Sequence, residues 1–265
     1  MSGVQIPSSL FINKIMIKFT KLKPIRRLQK GRKNNAGRNN TGRITVRHQG
    51  GGHKRVTKNI NVQKLFGEAV VMGYEYNADR RTFLMRIYNN NKFYYMLAPK
   101  DINIFDKIFL NKQINNFNLG NLVQIKNLPI GTLIHNLELH PNNGGVFIKS
   151  AGTFGKILFH DLNKNYTAIL LPSGESRLIF NECLTNIGIL SNEKFFNYRR
   201  YKAGESRWLN IRPAVRGVAM NPIDHPHGGG QGKTSGGRPS VSPWAKLTKG
   251  KKTRLTKNKY VIKNL

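Results

Sequence analysis

Between about Gln63 and Phe180 the chain alternates short apolar and polar runs, with glycine, proline and asparagine separating them. Ala69–Tyr76, Arg81–Tyr88 and Lys92–Leu97 have the period-two alternation and the β-branched and aromatic content of strands, and Asn77–Asp79 and Asn89–Asn91 read as the turns between them. Asn121–Lys126 completes this set, and strands so spaced predict an antiparallel sheet closing into a small barrel. After a joint at Leu128–Gly131, strands are expected at Asn136–Leu139, Gly145–Lys149, Phe154–His160, Tyr166–Leu171 and Ser176–Phe180. Their turns are written as Pro141–Gly144, Asp161–Asn165 and Pro172–Gly174, and about 55 residues of this pattern predict a second small barrel, SH3-like in size.

The flanks lack that periodicity. Residues 20–58 are turn formers and cations, which predicts an extended, irregular arm. Asn192–Tyr201 has a helical pattern with Asn192 as cap and Gly204 as its end, and irregular chain is expected from Arg212 to the terminus. The expected organisation is a basic N-terminal extension at 1–58, one barrel at 59–126, a second at 127–190, and a short helix with a basic extension at 191–265.

Charge sharpens this picture. The formal net charge is +33. Residues 1–58 carry fifteen Lys and Arg and no acid, residues 59–190 thirteen against nine, and residues 191–265 seventeen against three. A nearly balanced centre between two cationic arms is the pattern of a folded body with polyanion-binding extensions. The one cysteine, Cys183, excludes an internal disulfide and reads as a buried thiol. No apolar run approaches the roughly 20 residues of a membrane span. The first thirty residues lack a secretory pattern but, being basic and acid-free, suit either a transit peptide or an RNA-binding arm.

Two glycine-rich stretches carry the candidate chemistry. Asn221–Arg238 has His225 and His227 around Pro226, then Gly228, Gly229 and Gly230, then Lys233, Thr234, Ser235 and Arg238. Arg47–Arg55 repeats the logic, with His48 and His53 at the two ends of Gly50, Gly51 and Gly52 and with Lys54 and Arg55 alongside. Bare backbone approaches a partner closely, and amide, hydroxyl and cationic donors suit phosphate oxygens, so the expected partner is RNA. Trp244 is expected to pack on protein or on a ribose face, and Lys249, Lys251, Lys252 and Arg254 to attract phosphate without regard to sequence. Tyr74, Tyr76, Tyr94 and Tyr95 suit half-buried packing better than base stacking, and His135, His140 and His160 read as structural.

Enzymatic readings fare worse. Gly230–Thr234 ends like a nucleotide-binding loop, but His227 stands where its first glycine belongs, with no strand before and no helix after. Asp224, His225 and His227 lack a second cluster to complete a metal shell. His225 beside Asp224 has no nucleophile for acid–base work. No metal, cofactor or small-molecule substrate is expected.

The motifs also resemble a known family. Gly37–Arg55 is similar to the N-terminal signature of large ribosomal subunit protein two of bacterial type, and Met220–Gly232 to its C-terminal signature. Glu75–Arg80, Leu97–Lys100, Lys149–Thr153, Arg212–Gly217 and Thr248–Arg254 match in order, so the resemblance spans roughly residues 37–255. It implies a mainly β fold, an OB-like five-stranded barrel followed by an SH3-like barrel with long irregular basic extensions. It also implies a structural, primary rRNA-binding protein that supports assembly, subunit association and the peptidyl transferase region. Expected partners are large-subunit rRNA, neighbouring large-subunit proteins and the small subunit. Arg38, Arg43, Arg212, Arg216 and Asn221 join the candidate RNA contacts, and Asp224, His225 and His227 are placed near the peptidyl transferase region, His225 shaping RNA rather than doing chemistry. Departures include Asn77-Ala78 for Asp-Pro, Gln231 for an acid, and Ala245 where glycine usually follows the tryptophan. Abundant Asn, Ile and Lys point to an organellar, mitochondrial member, with a plastid-type organelle or AT-rich bacterium reading similarly.

Overall fold

The computed structural model describes residues 24–60, 65–110, 117–161, 163–250, 252, 256 and 258–262. The expected transit-like segment therefore lies largely outside the described residues, as do Lys251 and Arg254. The protein is mainly β and divides into two compact units. One, the β body, runs from Arg55 to Arg199 and includes the described residues up to Arg32 and from Tyr260 onward; the other joins Lys33–Lys54 to Arg200–Lys259.

In the β body the strands are β1 (Gln29–Gly31), β2 (Val56–Lys58), β3 (Gly67–Asn77), β4 (Thr82–Asn89), β5 (Lys92–Leu97), β6 (Lys107–Leu110), β7 (Leu122–Gln124), β8 (Leu133–His135), β9 (Leu137–Glu138), β10 (Gly145–Phe147), β11 (Gly155–Asp161), β12 (Tyr166–Leu170), β13 (Ser176–Phe180), β14 (Leu184–Ile187) and β15 (Val261–Ile262). Among the described residues one sheet runs β15-β13-β12-β11-β8-β14-β7-β6-β3-β4-β5, antiparallel except where β6 meets β7. Most expected strands appear within a residue or two. β1, β2, β6, β8 and β14 lie outside the expected strands because each has three or four residues, too few for periodicity to register. The tail is not irregular to its end, because β15 pairs with Ser176 and Arg177 at the otherwise open edge of β13.

Two larger apolar cores sit on this sheet, with a smaller third cluster of Leu84, Tyr95, Leu97 and Leu190. One gathers Ala69, Val71, Met85, Ile87, Met96, Ile108 and Leu122; the other gathers Val123, Ile134, Ile157, Ile169, Ile179 and Cys183. Successive residues of a strand face opposite ways, so β7 sends Leu122 to the first core and Val123 to the second. β14 does likewise with Leu184 and Ile187. The Cys183 thiol is buried, and burial pushes its pKa up to about 12, so it packs rather than reacts.

A buried charge cluster fixes where the first arm leaves this body. Glu75 on β3 accepts from Lys58 Nζ at 2.7 Å, Arg86 at 2.5 Å and the Tyr95 hydroxyl at 2.8 Å. Tyr95 oxygen in turn accepts the Ile25 N–H at 3.0 Å. Burial raises the Glu75 pKa, but these donors outweigh it and hold the carboxyl below its ordinary range. β1 and β2 pair beside this cluster, and the Arg32 N–H donates to Arg55 oxygen at 3.0 Å, closing a neck. Asp79 of the same motif pairs with Arg32 at 2.8 Å. Tyr74 and Tyr95 are thus buried packing residues, Tyr74 donating to Ile102 oxygen at 2.6 Å. His135 is buried and hydrogen-bonded to Gly188 oxygen, and His160 bonds Thr167 and Leu128, so both are structural.

Two outcomes follow. Glu75→Ala leaves Arg86 buried without its carboxylate and should cost about 3–5 kcal/mol in denaturant unfolding. Desolvation lowers the His135 pKa from 6.5 to about 4. The unfolded chain therefore binds the proton first, so its contribution to stability is present above pH 6.5 and is lost as pH falls toward 4. A His135→Asn variant should lose that one-proton slope from its stability–pH curve.

Candidate nucleic-acid interface

The unit made of Lys33–Lys54 and Arg200–Lys259 carries nineteen Lys and Arg, with Glu205 and Asp224 its acids. Among its described residues only Gly50, His225 and Val241 are buried. Hydrogen bonds and glycine contacts therefore take the place of an apolar core.

The first segment is more ordered than an extended arm. Asn39 Oδ1 accepts the Thr41 N–H, the Thr41 hydroxyl and the Arg43 N–H, at 2.8–3.0 Å, so one side chain closes the loop. Gly37 oxygen accepts from Thr45 and Val46 N–H groups, and a Cβ at Gly37 would lie 1.9 Å from Val46 oxygen. Arg38 and Arg43 stand exposed on this closed loop.

Each glycine triplet approaches protein before it approaches any partner. His48–Gly50 runs antiparallel to Asn210–Arg212, with Gly50 N–H to Asn210 oxygen at 3.2 Å and Arg212 N–H to His48 oxygen at 2.9 Å. A Cβ on Gly52 would meet Asn210 nitrogen at 2.7 Å, and Gly50 lies against the Arg212 guanidinium. His53 N–H reaches Trp208 oxygen at the end of helix α1 (Ala203–Trp208). The single helix expected at 192–201 is instead a 3-10 turn, Glu193–Asn197, followed by α1, and Gly204 lies inside α1 rather than ending a helix. Asn192 is left-handed at φ 64°, whereas Lys202 before α1 is extended; neither caps with its side chain.

The second triplet folds onto the turn before it. Gly228 N–H donates to His225 oxygen at 2.8 Å and Gly229 N–H to Met220 oxygen at 3.0 Å; a Cβ on Gly228 would lie 2.2 Å from Asn221 oxygen. The Thr234 hydroxyl donates to Gly229 oxygen at 3.1 Å, so it is used within the loop rather than offered to a nucleotide phosphate.

His225 is the keystone of this turn. Its ring lies against Gly217, where a Cβ would come within 2.5 Å of it, and its Nδ1 accepts the His227 N–H at 3.0 Å. That bond assigns the ring proton to Nε2, a donor, and leaves no ring lone pair free for a general base. His227 Nε2 faces the Val241 N–H and the Pro239 carbonyl, each at 3.3 Å, which ties Val241 and the Trp244 turn to the motif. Ala245 sits at φ 59° in the left-handed region, which accounts for glycine being usual there.

The two motifs meet at a concavity of about 470 Å³ lined by Val46, Arg47, His48, Val215, Gly217, Met220, His225 and Trp244, among others. Lys54, Arg216, Lys233, Arg238, Lys249 and Lys252 are exposed in the same unit, whereas Arg55 belongs to the neck of the β body. Val215, Gly217 and Met220 entered the sequence reading only as members of the motifs Arg212–Gly217 and Met220–Gly232; their apolar or small side chains carry no mark of a binding wall. Among the described residues no group of three or more His, Cys, Asp or Glu could hold a metal ion, and no helix is long and apolar enough to cross a membrane.

Residues 25–109 match the family model "Ribosomal Proteins L2, RNA binding N-terminal domain", and residues 118–245 match "Ribosomal Proteins L2, C-terminal domain". The chain is 48% identical over 240 residues to the large ribosomal subunit protein uL2m of Reclinomonas americana, covering 89% of this chain and 86% of that protein. It is 45% identical over 239 residues to uL2 of Rhodopseudomonas palustris (strain TIE-1), covering 89% and 85% of the two chains, and 42% over 245 residues to uL2 of Beijerinckia indica, covering 91% and 87%.

Glycine placement yields a matched pair of outcomes. Gly228→Ala should open the second motif and expose residues 200–250 to limited proteolysis. Gly236→Ala, whose Cβ would meet only the His227 ring at ordinary contact distance, should not. Ala245→Gly should relieve about 1 kcal/mol of backbone strain and slow cleavage beside Trp244.

Proposed function

From the premise that this chain belongs to the ribosomal protein L2 family, we propose that it is a mitochondrial member, in which the unit of Lys33–Lys54 and Arg200–Lys259 seats in large-subunit rRNA near the peptidyl transferase region. The supporting observation is the union of both glycine-rich motifs in one cationic unit with almost nothing buried. Such a unit has self-repelling charge and few apolar contacts, so a polyanion that fills its grooves adds both counter-charge and packing. The β body, with its two apolar cores, would serve as the rigid base; we read those cores as the OB-like and SH3-like barrels.

Within that setting the residues divide by task. Arg38, Arg43, Arg47, Lys54, Arg212, Arg216, Lys233, Arg238, Lys249 and Lys252 supply phosphate contacts, with Lys251 and Arg254 continuing the lysine-rich run. Gly50–Gly52 and Gly228–Gly230 hold the loops that present them. His225, with its Nδ1 occupied, shapes the surface and takes no part in proton transfer. Asp224, His227 and Asn221 complete the same turn. Contact with the small subunit and with neighbouring large-subunit proteins belongs to the same reading. Placement in mitochondria rests on the likeness to uL2m and on the Asn, Ile and Lys bias of the chain.

The test is sedimentation of the tagged endogenous protein through a high-salt sucrose gradient, with large-subunit rRNA probed in each fraction. Exposed phosphate contacts weaken steeply with salt, whereas loops threaded into folded RNA stay trapped. Retention with mitochondrial large-subunit rRNA is the expected result; release to the top of the gradient would leave only transient RNA binding. In free rRNA binding, Arg38→Ala and Arg43→Ala should each lower the log–log salt slope by about 0.9 while leaving the fold unchanged.

A further inference from the structure

The concavity between the two motifs holds chemistry that phosphate attachment does not use. Its floor and walls are largely apolar, with Val46, Val215, Met220 and Pro243 around it and the Trp244 ring 64% exposed at one side. Trp244 makes no ring or cation contact among the described residues, although Lys202 stands over Trp208 at 5.0 Å in the same unit. A free indole beside Arg47 is a stacking wall rather than a phosphate site.

A second hollow shares Arg47, Val215, Met220, Pro243 and Trp244 and adds Asp224. The Asp224 carboxylate is exposed and has no ion pair or side-chain hydrogen bond among the described residues. Glu205, the other acid of this unit, is already engaged, accepting the Tyr201 N–H at 3.2 Å. A carboxylate repels phosphate, so a surface made only to hold the RNA backbone gains nothing from Asp224. A nucleobase is different, because its edge carries N–H donors.

The four bases are not equivalent toward such a group. A carboxylate offers two adjacent acceptors and no donor. Guanine presents N1–H and the N2 amino group side by side, which matches both oxygens. Adenine and cytosine place one amino group next to a ring nitrogen acceptor, and uracil sets one N–H between two carbonyls, so each meets a repulsive lone pair. We propose that this second hollow, which Trp244 and Asp224 both line, receives one unstacked guanine of the rRNA, its face on Trp244 and its Watson–Crick edge on Asp224. The inference rests on the rRNA reading above and adds base identity to it.

The chain has two tryptophans, so Trp208→Phe leaves Trp244 as the sole indole fluorophore of the full-length protein. The probes are uridine pentaribonucleotides with G, A, C or U at the centre, whose equal charge cancels the electrostatic contribution. The guanine pentamer should quench Trp244 emission and bind about tenfold more tightly than the other three. Asp224→Asn, at an exposed side chain with no bond in the fold, should erase that preference. Trp244→Leu, followed by competition against a labelled guanine pentamer, should weaken its binding. Equal affinity for all four pentamers, a guanine preference that survives Asp224→Asn, or emission from Trp244 unmoved by RNA would each overturn the proposal. The last result would mean that protein rather than a base covers the ring. High-salt co-sedimentation with large-subunit rRNA reads the ribosomal role separately, so the base receptor can fail while that role stands.

Discussion

The glycine-rich unit has to hold a shape with almost nothing buried. Gly50, His225 and Val241 are its buried residues among those described, against nineteen cations that repel one another. Removing apolar surface from water cannot supply the stability that it supplies in the β body. What remains is backbone brought against backbone, and that requires positions without a Cβ. Gly37 on Val46, Gly52 on Asn210, Gly217 on the His225 ring and Gly228 on Asn221 are such positions. The loops that carry Arg38 and Lys233 are closed by such contacts.

The β body solves the opposite problem. Its two cores bury Leu122 and Val123 from one strand and Leu184 and Ile187 from another, so the two halves share β7 and β14. That sharing joins the two halves, and the Glu75 cluster ties β2 and the segment at Ile25 to the body. A buried carboxylate bound by Lys58, Arg86 and Tyr95 is costly to desolvate and costly to break, and it has one satisfied arrangement. The acidic residues of the motif Glu75–Arg80 thus hold the basic arm by its root.

Much of this was legible in the chain. Strands of five residues or more announce themselves through alternation, and the burial of Cys183 follows from the apolar run around it, whereas His135 could be read as structural but not as fully buried. The charge distribution correctly pointed to RNA, as did the family signatures. What could not be read was the purpose of the glycines. A triplet flanked by histidines and cations looks the same whether it approaches a phosphate or another loop. Only the pairing of His48–Gly50 with Asn210–Arg212, over 160 residues away in the chain, shows that it approaches protein. Asn39 is a similar case, because one asparagine within a polar run carries no sign that it will close a loop. The helix starts at Ala203 rather than at 192, and neither Asn192 nor Lys202 caps with its side chain; the left-handed backbone at Asn192, which the pattern does not reveal, is what separates the two starts.

His225 shows how far local geometry constrains function. A histidine beside an aspartate, in a cationic unit, invites assignment as a base. Yet its Nδ1 already accepts the His227 N–H, its ring fills the space left by Gly217, and its carbonyl holds the Gly228 N–H. To free the Nδ1 lone pair for a proton, the turn that positions His227 would have to open, and with it the link to Val241 and the Trp244 turn. Base catalysis by this ring would thus require dismantling the turn that holds it. The structural role and the catalytic role compete for the same nitrogen, and the fold has assigned that nitrogen to structure.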